Sequence, residues 1–251
     1  MSTIFDLGGK VAIVTGANTG IGQAIALSLA AAGADIAAVG RTPAGETVEK
    51  VRALGRKAEI VSADLSSIEP VQRVVDETIA KLGGLDILIN NAGIIRRADS
   101  VDFTEEDWDA VIDTNLKSTF FLAQAAGRHM LAQGSGKIVN IASLLSFQGG
   151  IRVPSYTASK SGVAGLTKLL ANEWAARGVN VNAIAPGYIA TNNTAALQAD
   201  ETRNRQIQER IPAGRWGDPS DIGGAAVFLA SPAANYIHGH VLAVDGGWLA
   251  R

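Results

Sequence analysis

Cysteine is absent from the 251 residues, which excludes disulfides and thiol catalysis and is compatible with a reducing compartment. Neither sign of charge is in excess: Lys and Arg number 22, Asp and Glu 24, for a formal net charge of −2. The chain therefore has no electrostatic footprint for nucleic acid or an anionic membrane surface. Long apolar runs are also missing, and none approaches the roughly 20 residues that a membrane-spanning helix needs. The first residues, MSTIFDLGGK, carry no basic region followed by an apolar stretch and cleavage site, so no signal peptide is expected. The histidines, His129, His238 and His240, have no carboxylate or cysteine companions at metal spacing, and no metal site is expected. Aromatics make up only 5%, and Trp108, Trp174 and Trp216 are read as core or interface residues. The expectation is a cytoplasmic protein.

A hydrophobic content of 47% with 18% charged residues marks a globular chain. Short apolar or β-branched runs end in Gly, Asn, Asp or Ser: KVAIVTG, ADIAAVG, KAEIVSAD, LDILINNAG, GKIVNIAS, VNVNAIAPG and HVLAVDGG. Between them lie Ala/Leu-rich helix candidates at 22–32, 67–82, 105–132 and 155–176. Parallel strands need crossover connections, so this alternation predicts a seven-stranded parallel α/β sheet with helices on both faces. No internal linker is visible, and 1–251 is read as one catalytic domain. Segment 191–218 is polar and has no strand, which suggests a substrate loop or lid.

In VAIVTGANTGIGQAIALSLAAAGA, Gly16, Gly20 and Gly22 follow the first strand and open a helix. Glycines serve where backbone turns sharply and approaches a pyrophosphate, and the helix N-terminus then offers free N–H groups. Strand before and helix after is the context such a turn requires. The spacing Thr15-Gly16-xxx-Gly20-x-Gly22 differs from GxGxxG and resembles the TGxxxGxG signature of the short-chain dehydrogenase/reductase family. Further family marks follow in order: Asp64 after the third strand, NNAG at 90–93, Asn115, Ser143, Tyr156-xxx-Lys160, and PG at 186–187. The resemblance spans essentially the whole chain. It implies a Rossmann-type, doubly wound oxidoreductase using NAD or NADP. It further implies cofactor contacts from Gly16, Asn18, Thr19, Gly20, Ile21, Gly22, Asp64, Leu65, Asn91, Ala92, Gly93, Tyr156, Lys160, Pro186, Gly187, Ile189 and Thr191. Asp64 would accept from the adenine amino group. The C-terminal HVLAVDGGWLAR resembles the family's last strand, with Asp245, Gly246 and Gly247 turning the chain toward a neighbouring subunit, which implies a homotetramer.

The residue reading the cofactor ribose should end the second strand, and that place holds Gly40 followed by Arg41. No carboxylate there repels a 2′-phosphate, and a guanidinium can pair with one bidentately, so local chemistry favours NADP. An Arg41 that stacks on adenine or faces water is the competing reading.

Tyr156 and Lys160 are four residues apart in a helix that opens near Pro154 and Ser155, so they share a face. A phenol with a pKa of about 10 is a poor base at neutral pH, and a neighbouring ammonium should lower it. Ser143 ends the fifth strand, where ligands bind in open α/β sheets, and can donate to a substrate oxygen. By family resemblance Lys160 also grips the nicotinamide ribose, and Asn115 holds a water that extends the proton relay.

Five segments, NNAGIIRRADS, LLSFQGGIRVPSYTASKSG, NEWAARGVNVNAIAPGYIATNNT, IPAGRWGDPSDI and VDGGWLAR, are similar to a subgroup of the family. Its members act on 2-deoxy-D-gluconate or 2-dehydro-3-deoxy-D-gluconate, sugar acids of pectin or alginate breakdown, usually with NAD. A carboxylated substrate needs a cationic or hydrogen-bonding partner once it leaves water. Arg152, between Ser143 and Tyr156, is the first candidate and Arg96 the second. Arg97, Arg205 and Arg215 are further options, and an exposed arginine paired with a carboxylate is the ordinary alternative for each. Asn192 and Asn193 could meet hydroxyls. A 3-oxoacyl-carrier-protein reductase would share every catalytic motif, and a cofactor-sensing binding protein without turnover would typically lack the Tyr or Lys.

Overall fold

The computed structural model describes residues 4–251. Among these, seven strands alternate with helices: β1 (Val11–Thr15), α1 (Gly20–Ala31), β2 (Asp35–Gly40), α2 (Gly45–Ala53), β3 (Ala58–Ser62), α3 (Val71–Leu82), β4 (Ile87–Asn90), α4 (Glu105–Ile112), α5 (Ser118–Gln133), β5 (Gly136–Ile141), α6 (Pro154–Trp174), β6 (Val179–Pro186), α7 (Ala195–Ala199), α8 (Glu201–Arg210), α9 (Pro219–Ala230) and β7 (Val241–Val244). All pair in parallel in the order β3-β2-β1-β4-β5-β6-β7.

Side chains alternate across a strand, and β1 divides accordingly. Ala12 and Val14 join the core with α1, α2 and α9, whereas Val11 and Ile13 join the core with α3, α5 and α6. Both faces are covered, which is why β1 and β6 are apolar or buried throughout. Each fully buried Ile or Leu contributes about 1.5–3 kcal/mol of transfer free energy. The direction of winding reverses between β1 and β4, opening a crevice at the carboxyl ends of these strands. No helix among the described residues is long and apolar enough to cross a membrane.

The helix expected at 67–82 starts only at Val71, because Pro70 disfavours helical geometry in the residue before it. The helix expected at 105–132 is two helices joined by a π-turn, Asp113–Lys117. That turn contains the buried Asn115, whose side chain bonds to the Ile94 backbone through both its oxygen and its nitrogen (2.8 and 2.9 Å). One extra residue in the helix lets the side chain reach that partner. The helix α2 had no counterpart among the expected elements.

Gly178 joins α6 to β6 with φ 83°, and a Cβ there would overlap the carbonyl oxygen of Gly134. Gly178→Ala is expected to cost about 2 kcal/mol or more from the left-handed backbone and the overlap together. Thermal denaturation measures it, and an unchanged midpoint would show that the two connections separate freely.

Candidate active site

The crevice begins at the glycine turn. Gly16 and Gly20 have φ of 65° and 57°. A Cβ on Gly22 would overlap the Gly16 carbonyl oxygen and crowd the Asn91 amide, so helix α1 comes this close only with glycine there. Thr15 ties the turn to the end of β4: its hydroxyl accepts from the backbone N–H groups of Asn91 and Ala92 (both 2.9 Å), and Asn91 Nδ2 donates back to the Thr15 carbonyl (2.8 Å). The first turn of α1 holds no acidic residue, and the Thr19 side chain caps no amide. These N–H groups are available to a phosphate. Gly16, Asn18, Thr19, Gly20, Ile21, Gly22, Asn91, Ala92, Gly93, Tyr156, Lys160 and Thr191 line one cleft of about 270 Å³. The residues present fit a dinucleotide.

Other predicted contacts lie around this cleft. Pro186 and Gly187 line the adjoining cavity, Ile189 is buried beside a smaller one, and Leu65 is in the core. Arg41 and Asp64 form a loose pair at 3.8 Å, with side chains 78% and 52% exposed. Hydrogen bonds from Ser66 hold the Asp64 carboxyl below its ordinary value, with a smaller contribution from Arg41. So exposed a pair contributes little, and Arg41 is free to turn onto an added phosphate.

Ser143 leaves β5 with extended backbone, and its hydroxyl accepts from the Leu145 N–H at 3.2 Å. Proline opens α6, where the ring's fixed φ suits the first helical position. Lys160, 5% exposed, places its Nζ 5.6 Å from the Tyr156 ring centroid and donates to the Ile141 carbonyl at 2.7 Å. The Ser146 hydroxyl donates to the Lys160 carbonyl at 2.7 Å, which fastens the loop after Ser143 to α6. Asn115 reaches the same helix, its Nδ2 donating to Ser159 Oγ at 3.4 Å.

Burial pushes the Tyr156 phenol above its ordinary value, opposed by the Ser143 hydrogen bond and by the charge of Arg97. The direction is opposite to the lowering expected from a lysine neighbour, because desolvation of a phenolate outweighs those contributions. Burial also lowers the Lys160 ammonium to about 8.

Beyond Ser143 and Tyr156 opens a cavity of about 510 Å³. Arg97, Arg203 and Arg210 line it together with Gln148, Asn193 and Gln206, and no lining residue is a carboxylate. Two residues expected to meet the substrate are absent from this lining. Arg152 takes the left-handed conformation, φ 64°, the only non-glycine residue with positive φ among those described. Its Nε pairs with Asp99 at 3.0 Å, and its neighbours Ile151 and Val153 line the cavity instead. Arg96 pairs with Asp107 at 3.1 Å. Ile95 and Arg97, on either side of it, line the cavity, and Arg96 does not. Arg215 is held bidentately by Asp221 (2.7 and 3.0 Å), and Arg205 lies 4.0 Å from Glu209. Asn192 lines the dinucleotide cleft, not the larger cavity, while Asn193 borders both. Arg203 and Arg210 were not anticipated, although Arg203, Gln206, Ile207 and Arg210 fall on one helical face.

A family model described as enoyl-(acyl carrier protein) reductase matches residues 16–249. The chain belongs to the short-chain dehydrogenase/reductase family. It is 60% identical over 248 residues to a 2-dehydro-3-deoxy-D-gluconate 5-dehydrogenase of Escherichia coli, covering 98% of both chains. A protein of Agrobacterium tumefaciens, solved with bound NADP and described as a candidate 2-deoxy-D-gluconate 3-dehydrogenase, is 62% identical with a TM-score of 0.93, covering 99% of this chain and 100% of that one. A gluconate 5-dehydrogenase of Burkholderia cenocepacia in complex with NADP and tartrate is 40% identical, TM-score 0.94, with 98% of each chain covered. This family member is an NAD(P)-dependent oxidoreductase acting on a carbinol or carbonyl group.

A phenol held above its ordinary pKa is protonated at neutral pH, so it is present in the form that donates a proton and not in the form that accepts one. For alcohol oxidation, kcat/KM is expected to rise with pH through the neutral and into the alkaline range, whereas carbonyl reduction stays level there. An oxidation profile without that rise would exclude Tyr156 as the proton acceptor.

Proposed function

We propose that the protein interconverts a ketone and a secondary alcohol on a keto-deoxy sugar acid of the 2-dehydro-3-deoxy-D-gluconate type. The observation that carries this reading is the charge of the larger cavity: three arginines, no carboxylate, and Ser143 and Tyr156 at its inner end. A buried carboxylate needs such partners, and the names of the relatives above supply the sugar-acid class. The bound nicotinamide supplies the hydride acceptor or donor. Ser143 holds the reacting oxygen, Tyr156 moves its proton, Lys160 orients the ribose beside Tyr156, and Asn115 braces the turn behind them. Segment 191–218, with α7 and α8, serves as the lid over the substrate. Arg41, beyond a strand that ends in glycine, supports NADP, and NAD is accepted where no phosphate is read. A homotetramer in the cytoplasm is part of this reading.

A crossed assay of NADH and NADPH against keto-deoxy sugar acids and acetoacetyl thioesters tests it. Turnover of the sugar acids is expected, and turnover of thioesters alone would establish an acyl-carrier reductase instead. Tyr156→Phe is expected to lower kcat by about 10²–10⁴-fold with cofactor affinity unchanged. Arg97→Ala should weaken sugar-acid binding by about 1.5–3 kcal/mol, the range for hydrogen bonds to charged groups, read as a rise in KM. Arg152→Ala and Arg96→Ala should leave that KM unchanged. A larger effect at Arg152 than at Arg97 would return the carboxylate site to the loop before Tyr156.

A further inference from the structure

Helix α8 carries two of the cavity's three arginines on a very polar segment, ETRNRQIQER, and buries only Ile207 within its span. A helix so poorly anchored by apolar burial is held by its ends. Its N-terminus is capped conventionally, the Asp200 carboxylate accepting from the Arg203 N–H at 3.0 Å. Its C-terminus has no left-handed glycine: Ile211 at the C-cap is extended, φ −76° and ψ 116°. The last carbonyls of a helix need donors from elsewhere when such a cap is lacking.

Those donors come from the end of the chain. Arg251 Nε donates to the Arg210 carbonyl at 3.1 Å, and its Nη2 donates to the Glu209 carbonyl at 2.5 Å. A guanidinium is suited to the place, because it offers several donors in a fixed fork and its charge complements the negative end of the helix dipole. The same tail supplies Trp248, 4% exposed, whose ring lies 3.9 Å below the Arg210 guanidinium. Trp248 is seated in turn against Tyr188, at 4.6 Å between ring centroids, and through Nε1 to Gln148 Oε1 at 3.3 Å. Asp245 folds the tail into a hook, its carboxylate accepting from the N–H groups of Gly247 and Leu249 (2.8 and 2.9 Å). Backbone and side chain of Arg210 are thus both gripped by residues 248–251.

We propose that Arg251 is a positioning residue for substrate recognition: its side chain caps α8 and, with Trp248, holds the Arg210 guanidinium at the cavity wall, making Arg210 a specificity-determining residue. The inference rests on the carboxylated-substrate reading above. Arg251 touches no substrate. It acts on the reaction by fixing the helix that presents Arg210.

The test compares Arg251→Ala and Arg251→Lys with the unaltered enzyme in two measurements. In hydrogen exchange, the backbone amides at 207–211 are expected to exchange faster in Arg251→Ala; unchanged exchange overturns the clamp whatever the substrate is. In steady-state kinetics, Arg251→Ala is expected to raise KM for the keto-deoxy sugar acid about tenfold, the worth of one charge-assisted hydrogen bond. Values of kcat, cofactor affinity, and KM for an uncarboxylated hydroxyketone should not change. Arg251→Lys, which keeps charge and donors without the fork, should recover part of the loss. An equal rise in KM for both substrates, or no rise, overturns the specificity role. If the unaltered enzyme shows no preference for the carboxylated substrate, the substrate reading itself falls, while the exchange result still decides whether the clamp exists.

Discussion

The junction of Thr15 with Asn91 and Ala92 is the constraint on which the site depends. A parallel sheet that winds both ways must leave two adjacent strand ends with connections departing in opposite directions, here those of β1 and β4. Such ends would gape unless their freed backbone groups found partners. One threonine hydroxyl takes both N–H groups of the β4 end, and one asparagine amide returns a bond to β1. The glycine turn and the NNAG segment are thereby a single wall. Asn115 repeats the device one layer out, satisfying both the N–H and the carbonyl of Ile94 from the π-turn between α4 and α5.

From that wall the chemistry divides by charge. The dinucleotide cleft relies on backbone N–H groups and glycine, with no acidic residue in the first turn of the helix that closes it. The larger cavity relies on guanidinium groups carried by two unrelated elements, the segment after β4 and helix α8. Tyr156 lines both, which is the placement a proton-transferring group between cofactor and substrate must have. Arg97 acts twice: it adds positive charge for an anionic substrate and pulls the Tyr156 phenol down against the effect of burial.

How much of this is legible in the sequence follows from the range of the interactions. The glycine turn and the Tyr156–Lys160 pair are local, set by spacing along one turn or one helix, and both are found where spacing puts them. The strands are legible because burial, on both faces for most of them, leaves short apolar runs that end in Gly, Asn, Asp or Ser. The place of Arg152 is not legible because its backbone is left-handed, which no neighbouring residue type announces, and its guanidinium pairs with Asp99. Arg96 and Arg97 are indistinguishable as a dipeptide, and only the path of the backbone after β4 decides which lines the cavity. Arg203 and Arg210 share a face that could be read from their spacing, but which face of a polar helix turns inward is set by Ile207, Trp216 and the C-terminal tail.

Burial of Lys160 is a cost that the fold carries for the sake of the site. The folded state holds its ammonium at about 8, below the value of about 10.4 for a free lysine. Below the lower of these values both states bind the proton and the full desolvation penalty is present. As pH rises between them the unfolded chain binds more protons than the folded one, so the group's contribution to stability grows more favourable. A core position chosen for stability alone would hold an apolar side chain there. The ammonium is kept beside a phenol that burial drives the other way, so the site separates the two proton affinities more than they are separated in free side chains. Lys160, one turn from Tyr156 on α6 and lining the same cleft, therefore gives up its proton before the phenol does, which leaves Tyr156 the protonated member of the pair.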